Sequence, residues 1–276
     1  MMHLIQIALM LTLGPLVQGV MATLHARLVG RPGPPPLQPY RNLRKLWRKE
    51  ALVPAGASPL FLAAPGIALG ASITLSTLVP PLGAQPRTVD AIAIALTLAL
   101  WRFALVLAAL DTRSTFEGMA ASREVTFGSL TEAPLILALA SLAFGSGAAL
   151  ASILASAGLL IVCLSETARI PVDNQETHYE LTMIHEGLVL EYSGWHLAML
   201  QYASWLRQLS LLLLAAMILP GGAIATLAWL LLFIIAIPLV ERLVAKMRFF
   251  EVPVLFATAT ILALTSVVMH VMRALS

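Results

Sequence analysis

Residues 166–195 read ETARIPVDNQETHYELTMIHEGLVLEYSGW and hold six of the chain's fourteen acidic residues: Glu166, Asp173, Glu176, Glu180, Glu186 and Glu191. One apolar run (150–165) ends where this stretch begins, and another (197–219) starts where it stops. Only 11% of the 276 residues are charged and 59% are hydrophobic, whereas soluble proteins carry about 25% charged residues. A helix needs roughly 20 apolar residues to cross a hydrocarbon core about 30 Å thick. The sequence offers such runs about eight times, near 2–23, 59–79, 90–110, 132–148, 150–165, 197–219, 224–240 and 253–272. It therefore predicts an all-α, polytopic membrane protein, a single transmembrane domain over 1–276 with about eight transmembrane helices. The opening stretch becomes the loop between the fifth and sixth. The fourth and fifth are divided only by Gly145-Ser146-Gly147.

Basic residues orient the bundle. No positive side chain precedes the first run, since Arg27 is the first, and a secretory signal would carry its charge in front. A retained helix with an outside N-terminus is the expectation. The loops that alternate to one side hold thirteen Lys and Arg residues, seven of them between Arg27 and Lys49. The opposite side has Arg87 and Arg273. By the positive-inside rule both termini lie on the non-cytoplasmic side, with cytoplasmic coupling loops at 24–58, 111–131 and 166–196.

Several function classes are excluded. The single cysteine, Cys163, sits in an apolar run and reads as a small buried hydrophobe, with no partner for a disulfide or a multi-cysteine site. The net charge of +3 follows topology and gives no argument for nucleic acid. No nucleotide-binding loop, HExxH, CxxC or internal repeat is present, so no cofactor or metal bound by this chain is expected. His178 and His185 are seven apart. Solvated or carboxylate-paired histidines are favoured there over a metal site, with His178 placed to tune Glu176 or Glu180.

The first loop has two parts. RPGPPPLQPY (31–40) carries five prolines, which fix φ and hold their predecessors extended. RNLRKLWRKE (41–50) then sets Leu43, Leu46 and Trp47 at helical spacing between charges. A membrane-surface amphipathic helix and a docking surface for an acidic soluble partner both fit. Arg31, Gln38, Arg44, Lys45, Arg48 and Lys49, joined by His185 and Glu186, are the candidates for partner docking.

Ionisable groups in or beside a bilayer core are costly and mark pathways by default. Three sets stand out: Asp111, Glu117, Arg123 and Glu124; then Glu132, nine residues beyond Arg123; then the opening stretch, where Glu166 closes a span and Arg169 follows. Glu176 and Glu180, four apart, share a helix face and repel. In a low-dielectric cavity one of such a pair holds a proton near neutral pH. Asp111, Arg123, Glu124, Glu132, Glu166, Arg169, Asp173, Glu176, Glu180 and Glu191 are therefore candidates for a coupling or proton pathway. The plainer alternative is a helix-ending Glu166–Arg169 pair followed by a solvated loop. Arg102 and Arg207 fall inside spans and are expected to pair with carboxylates rather than face lipid.

These motifs are familiar together. ETARIPVDNQETHYELTMIHEGLVLEYSG resembles the ETxRxPFDxxE-type cytoplasmic loop of respiratory complex I subunit 1, the membrane subunit beside the quinone cavity. RPGPPPLQPYRNLRKLWRKE resembles that family's RxGP…QPxxDxxKLxxKE first loop, and the Arg123-to-Glu132 spacing matches its third element. The longer ELTMIHEGLVLEYSG end is similar to the related membrane subunit of energy-converting (group 4) NiFe hydrogenases and formate hydrogenlyase. LDTRSTFEGMAASRE resembles their LDTGSxFxGMGASRE, with Arg113 and Ala120 at two of its glycines. Val172 stands where many relatives have phenylalanine.

The resemblance implies a membrane anchor and coupling subunit that links electron transfer in a soluble module to proton or sodium translocation. It implies a multi-pass protein of a bacterial or archaeal cytoplasmic (inner) membrane. Its partners would be hydrogenase-type large and small subunits, a ferredoxin-like iron–sulfur subunit and antiporter-like membrane subunits, with the NiFe centre and iron–sulfur clusters held by those partners. Within the resemblance, Glu132, Glu166, Arg169, Asp173, Glu176 and Glu180 match the charged pathway. Two alternatives remain: the quinone-site subunit of NADH:quinone oxidoreductase, with a tunnel between the first span and the 166–195 loop, and a stand-alone ion transporter, which favours inverted repeats and mid-span charges.

Overall fold

The apolar runs become helices of bilayer length. A computed structural model describes residues 2–80, 82, 88–143, 149–173 and 183–275. All regular structure among them is helical: α1 Met2–Leu28, α2 Gln38–Trp47, α3 Pro59–Leu78, α4 Thr88–Asp111, α5 Thr115–Ala143, α6 Ala149–Glu166, α7 Gly194–Ile218, α8 Ala223–Leu243 and α9 Val252–Leu275, with one 3-10 turn at Glu186–Val189. At 1.5 Å per residue the shortest apolar helix, α6 with 18 residues, is about 27 Å long. The chain is thus a polytopic helical membrane protein.

Among the described residues, seven helices are long and apolar enough to cross a membrane: α1, α3, α4, α5, α6, α8 and α9. The sixth expected span, 197–219, corresponds to α7, which has 25 residues but carries Gln201, Arg207 and Gln208. Position explains its composition. It packs against α1, α3, α6 and α8, and every residue from Leu206 to Ala216 is buried. Neighbouring helices surround it in place of lipid, so polar side chains find partners there.

The helices alternate in direction. At one end Gln6 of α1 grips the exit of α3: its Nε2 donates to Pro80 O at 2.9 Å and its Oε1 accepts from Leu82 N at 2.8 Å. At the other end the long connections meet. Ser58 N donates to Asp111 Oδ2 at 2.7 Å, Leu52 N to Ser193 Oγ at 2.8 Å, and Met247 N to Pro171 O at 2.9 Å. Ser58 also caps α3, its hydroxyl accepting from Leu60 N ahead of a proline at the first helical position, both strong helix-start signals.

The expected loop at 111–131 is corrected to helix from Thr115 onward. Its charges suggested exposure, yet Glu117 and Glu124 are buried by neighbouring elements, and no proline interrupts the segment until Pro134. Glu117 in the first turn also suits the positive end of the helix dipole. The first span likewise runs on to Leu28. Glu176, His178, Glu180 and the Gly145-Ser146-Gly147 boundary lie outside the described residues.

The proline-rich arm folds back on α1. Thr23 Oγ1 donates to Pro34 O at 2.7 Å, Tyr40 Oη donates to Thr12 O, and Gly19 admits the arm because a Cβ there would lie 1.9 Å from Pro36 O. Helix α2 follows, with Pro39 buried and Arg41, Arg44, Lys45, Trp47 and Arg48 exposed. Gly19→Ala is expected to push the arm off α1, giving faster proteinase K cleavage within residues 29–37 of the detergent-purified protein. A cleavage rate equal to wild type would show that the contact does not hold the arm.

Candidate functional site

The site is built on the way α6 ends. Ala168 takes a left-handed conformation (φ 53°); Arg169 N donates to Leu164 O at 2.8 Å and Ala168 N to Ser165 O at 3.2 Å, the two bonds of a Schellman ending. This turn leaves the Glu166 carboxylate inside the bundle, 2% exposed, between two arginines. Oε1 accepts from Arg102 Nη2 of α4, and Oε2 lies 3.1 Å from Arg207 Nη1 of α7. Arg207 Nη2 also donates to the Glu166 carbonyl.

Arg102 serves three carboxylates at once. Besides Glu166, its Nε lies 3.4 Å from Glu124 Oε1 and its Nη1 3.2 Å from Glu132 Oε1. Gly128 makes this possible, because a Cβ on it would sit 2.5 Å from the Arg102 Cδ and Nε atoms. Thr131 Oγ1 stands 3.2 Å from Glu166 Oε1. On the far side the Arg207 guanidinium lies 3.4 Å over the Trp101 ring, a cation–π contact. His185 Nδ1 closes the network 3.0 Å from Glu124 Oε2. Two guanidinium charges therefore face three carboxylates and one imidazole.

A second ionic group flanks the first. Arg169 Nη1 is 3.0 Å from Glu241 Oε1, and its Nη2 donates to Gln18 at 2.5 Å and Gln208 at 3.4 Å. His25 Nδ1 lies 3.5 Å from Glu241 Oε2. Gln18, His25, Arg169 and Glu241 line a cavity of about 300 Å³ between α1, α8 and the turn after α6. Gln18 and Ala168 also border an inner cavity of about 360 Å³ that reaches His185 and Trp101. Glu132, with a side chain 52% exposed, opens on the opposite flank into a groove of about 410 Å³ between α4 and α5. Polar and ionic groups thus run from the α1/α8 flank to the α4/α5 flank. Asp173 pins the adjacent loop: Oδ1 lies 2.8 Å from Lys246 Nζ, and Oδ2 accepts from Ile184 N and His185 N.

The candidates divide accordingly. Glu124, Glu132, Glu166, Arg169 and Asp173 line or adjoin this route, while Arg123 donates to Met183 O at 3.0 Å and holds the nearby loop. Glu166 and Arg169 take separate partners instead of forming the helix-ending pair. Asp111 lies apart, tied to Ser58, as does the exposed Glu191, whose amide donates to the buried Glu117 at 3.0 Å. Beside it Tyr192 donates to Phe61 O at 2.8 Å. Burial, with Glu117 and Asp111 adding repulsion, pushes its phenol above the ordinary range. Arg31, Arg44, Lys45, Arg48 and Lys49 are exposed, and Gln38 is half-buried. His185 and Glu186, grouped with the docking residues, are half-buried and border the inner cavity, on a turn packed against α4 and α5. Arg102 and Arg207 found carboxylates as expected of charges inside spans. Sequence reasoning passed over Gln18, Gln208 and Glu241, although a lone carboxylate closing the apolar run at 224–240 was a usable signal.

Breaking a buried ion pair by removing one partner costs about 3–5 kcal/mol, since the remaining charge is stranded. Arg102→Met is expected to lower stability by that order in a detergent thermal-unfolding assay, and adding Glu124→Gln to recover part of the loss. If the double variant unfolds no later than the single one, the proposed coupling between these groups is wrong.

Comparisons with known proteins agree with this architecture. The chain is 30% identical to hydrogenase-4 component C of Escherichia coli (strain K12) over 279 residues, covering 89% of this chain and 88% of that one. It is 29% identical to formate hydrogenlyase subunit 4 of the same organism over 244 residues, covering 81% and 78%. Its fold matches a chain of the membrane-bound sulfane sulfur reductase, an archaeal respiratory membrane complex, with a TM-score of 0.76, 22% identity and 98% coverage of each chain. Residues 1–273 match the NADH dehydrogenase family, and the chain belongs to that family.

Proposed function

We propose that this chain is the membrane anchor and coupling subunit of a membrane-bound hydrogenase or formate hydrogenlyase complex in a bacterial or archaeal cytoplasmic membrane. The observation that carries the reading is the ionic route across the bundle, from Arg169–Glu241 through Arg102, Glu124 and Glu166 to Glu132. Soluble partners would hold the NiFe centre and the iron–sulfur clusters; antiporter-like membrane subunits would take over the ion beyond Glu132. The cationic α2 and the loop after α6 would face the soluble module. Reduction or oxidation there would shift the field at the Asp173–His185 loop, and the ionic contacts of Glu124 with His185 and Arg102 would respond. The likeness to hydrogenase-4 component C and formate hydrogenlyase subunit 4 supports the choice of complex.

One observation favours the quinone-site reading: a cavity lies between α1 and the turn after α6, as that reading requires. Its lining by Gln18, His25, Arg169, Asp173, Glu241 and Arg242 is more ionic than a tunnel for an apolar tail demands, which leaves coupling as the better fit.

Glu132 is half exposed, so Glu132→Gln removes a charge with little demand on folding. The variant is expected to assemble normally while ion-coupled turnover in sealed vesicles drops at least tenfold. Full coupled turnover would remove Glu132 from the pathway. Reversing Arg44, Lys45 and Arg48 together to glutamate is expected to release the soluble module during detergent purification. Co-purification at wild-type yield would return α2 to a lipid-facing role.

A further inference from the structure

The segment joining α8 to α9 reads VAKMRFFE at 244–251 and serves no part of the route described above except through Lys246. It links two helices of membrane-crossing length, so it lies at a boundary of the bilayer. Its side chains divide as an interfacial segment requires. Leu243 is 74% exposed and Phe250 89% exposed, with Phe249 and Val254 also open, while Lys246 and Arg248 stand among them.

Between this segment, α5 and the turn after α6 lies a groove of about 560 Å³. Its floor is apolar: Phe127, Val172, Ile184 and Val252 are buried in one cluster, and Phe249 packs on Phe127 with ring centroids 4.8 Å apart. Its rim is basic, formed by Arg123, Lys246 and Arg248. Arg123 is fixed rather than waving in solvent, since Nη1 is bonded to Met183 O and its guanidinium lies 5.9 Å from the Phe249 ring. An apolar trough with a cationic rim at the membrane boundary matches one ligand class, an anionic amphiphile lying with its head at the rim.

We propose that this groove binds an anionic phospholipid, the phosphate held by Arg123 and Arg248 at the rim and an acyl chain lying over Phe127, Phe249 and Phe250. A basic pocket between membrane helices is the arrangement that selects anionic headgroups. The apolar floor separates this ligand from a free anion, which has no use for it. The site stands about the Asp173–Lys246 pair, so lipid composition would reach the loop that carries His185.

The test uses the full chain, with whatever subunits co-purify, in vesicles of phosphatidylcholine containing a photoactivatable phosphatidylglycerol that carries its diazirine on an acyl chain. Peptide mapping is expected to place the label on residues 247–252 and around Phe127, and an equivalent phosphatidylcholine probe to label them at least fivefold less. Arg248 is exposed, so Arg248→Ala should fold normally, and it is expected to cut labelling about fivefold, the worth of one basic residue near an anionic surface. Phe250→Ala is expected to move or weaken the label without altering headgroup preference. Equal labelling by both probes overturns the proposal, as does labelling unaffected by Arg248→Ala. Displacement of the label by millimolar inorganic phosphate overturns it too, because the site would then be one for a free anion.

Discussion

Glu166 lies between Arg102 and Arg207, and the rest of the interior is arranged around that arrangement. A lone carboxylate in this setting would lose most of its hydration for nothing in return. Here both oxygens meet a guanidinium, each from a different helix. Three helices are thereby fixed by a contact that is directional, in a membrane setting where the hydrophobic effect between helices gives little direction. The Schellman ending of α6, Gly128 on α5 and the Trp101 ring under Arg207 each serve to bring those three charged groups to one place.

That constraint also shapes what the interior can do. Arg102 divides its donors among three acceptors, so Glu124 and Glu132 share their guanidinium with Glu166, which alone has Arg207 besides. Glu132 is the outermost of the three and the only one with substantial exposure. A charge displaced at the Glu124–His185 edge is felt at Glu132 through a single side chain, over a path of packed ionic contacts.

Much of this was legible in the residues. Long apolar runs gave helices, and the carboxylates at 124, 132 and 166 were marked because charge at the edge of a span is costly. Arg102 and Arg207 met the expectation that a cation inside a span has a carboxylate partner. What escaped was partnership across distance. No local pattern joins Arg169 to Glu241 or Gln18, since those contacts arise only when α1, α8 and the turn after α6 are packed. The segment 115–131 misled for a related reason. Its charges match a solvated loop by composition, and only tertiary burial makes them the polar face of a helix. His185 found a carboxylate, Glu124, but which one depended on a loop that folds back on Asp173.

The central position of α7 has a consequence for how the molecule is made. Lipid accepts a helix according to its apolarity, and α7, with Arg207 and two glutamines, is the poorest candidate of the eight long helices. Its arginine becomes tolerable once the Glu166 carboxylate and the Trp101 ring are present, and both belong to segments synthesised earlier. The first six helices therefore act as the solvent into which the seventh dissolves. Burying Arg207 in this bundle thus rests on packing, on the ion pair at Glu166 and the Trp101 ring beneath the guanidinium.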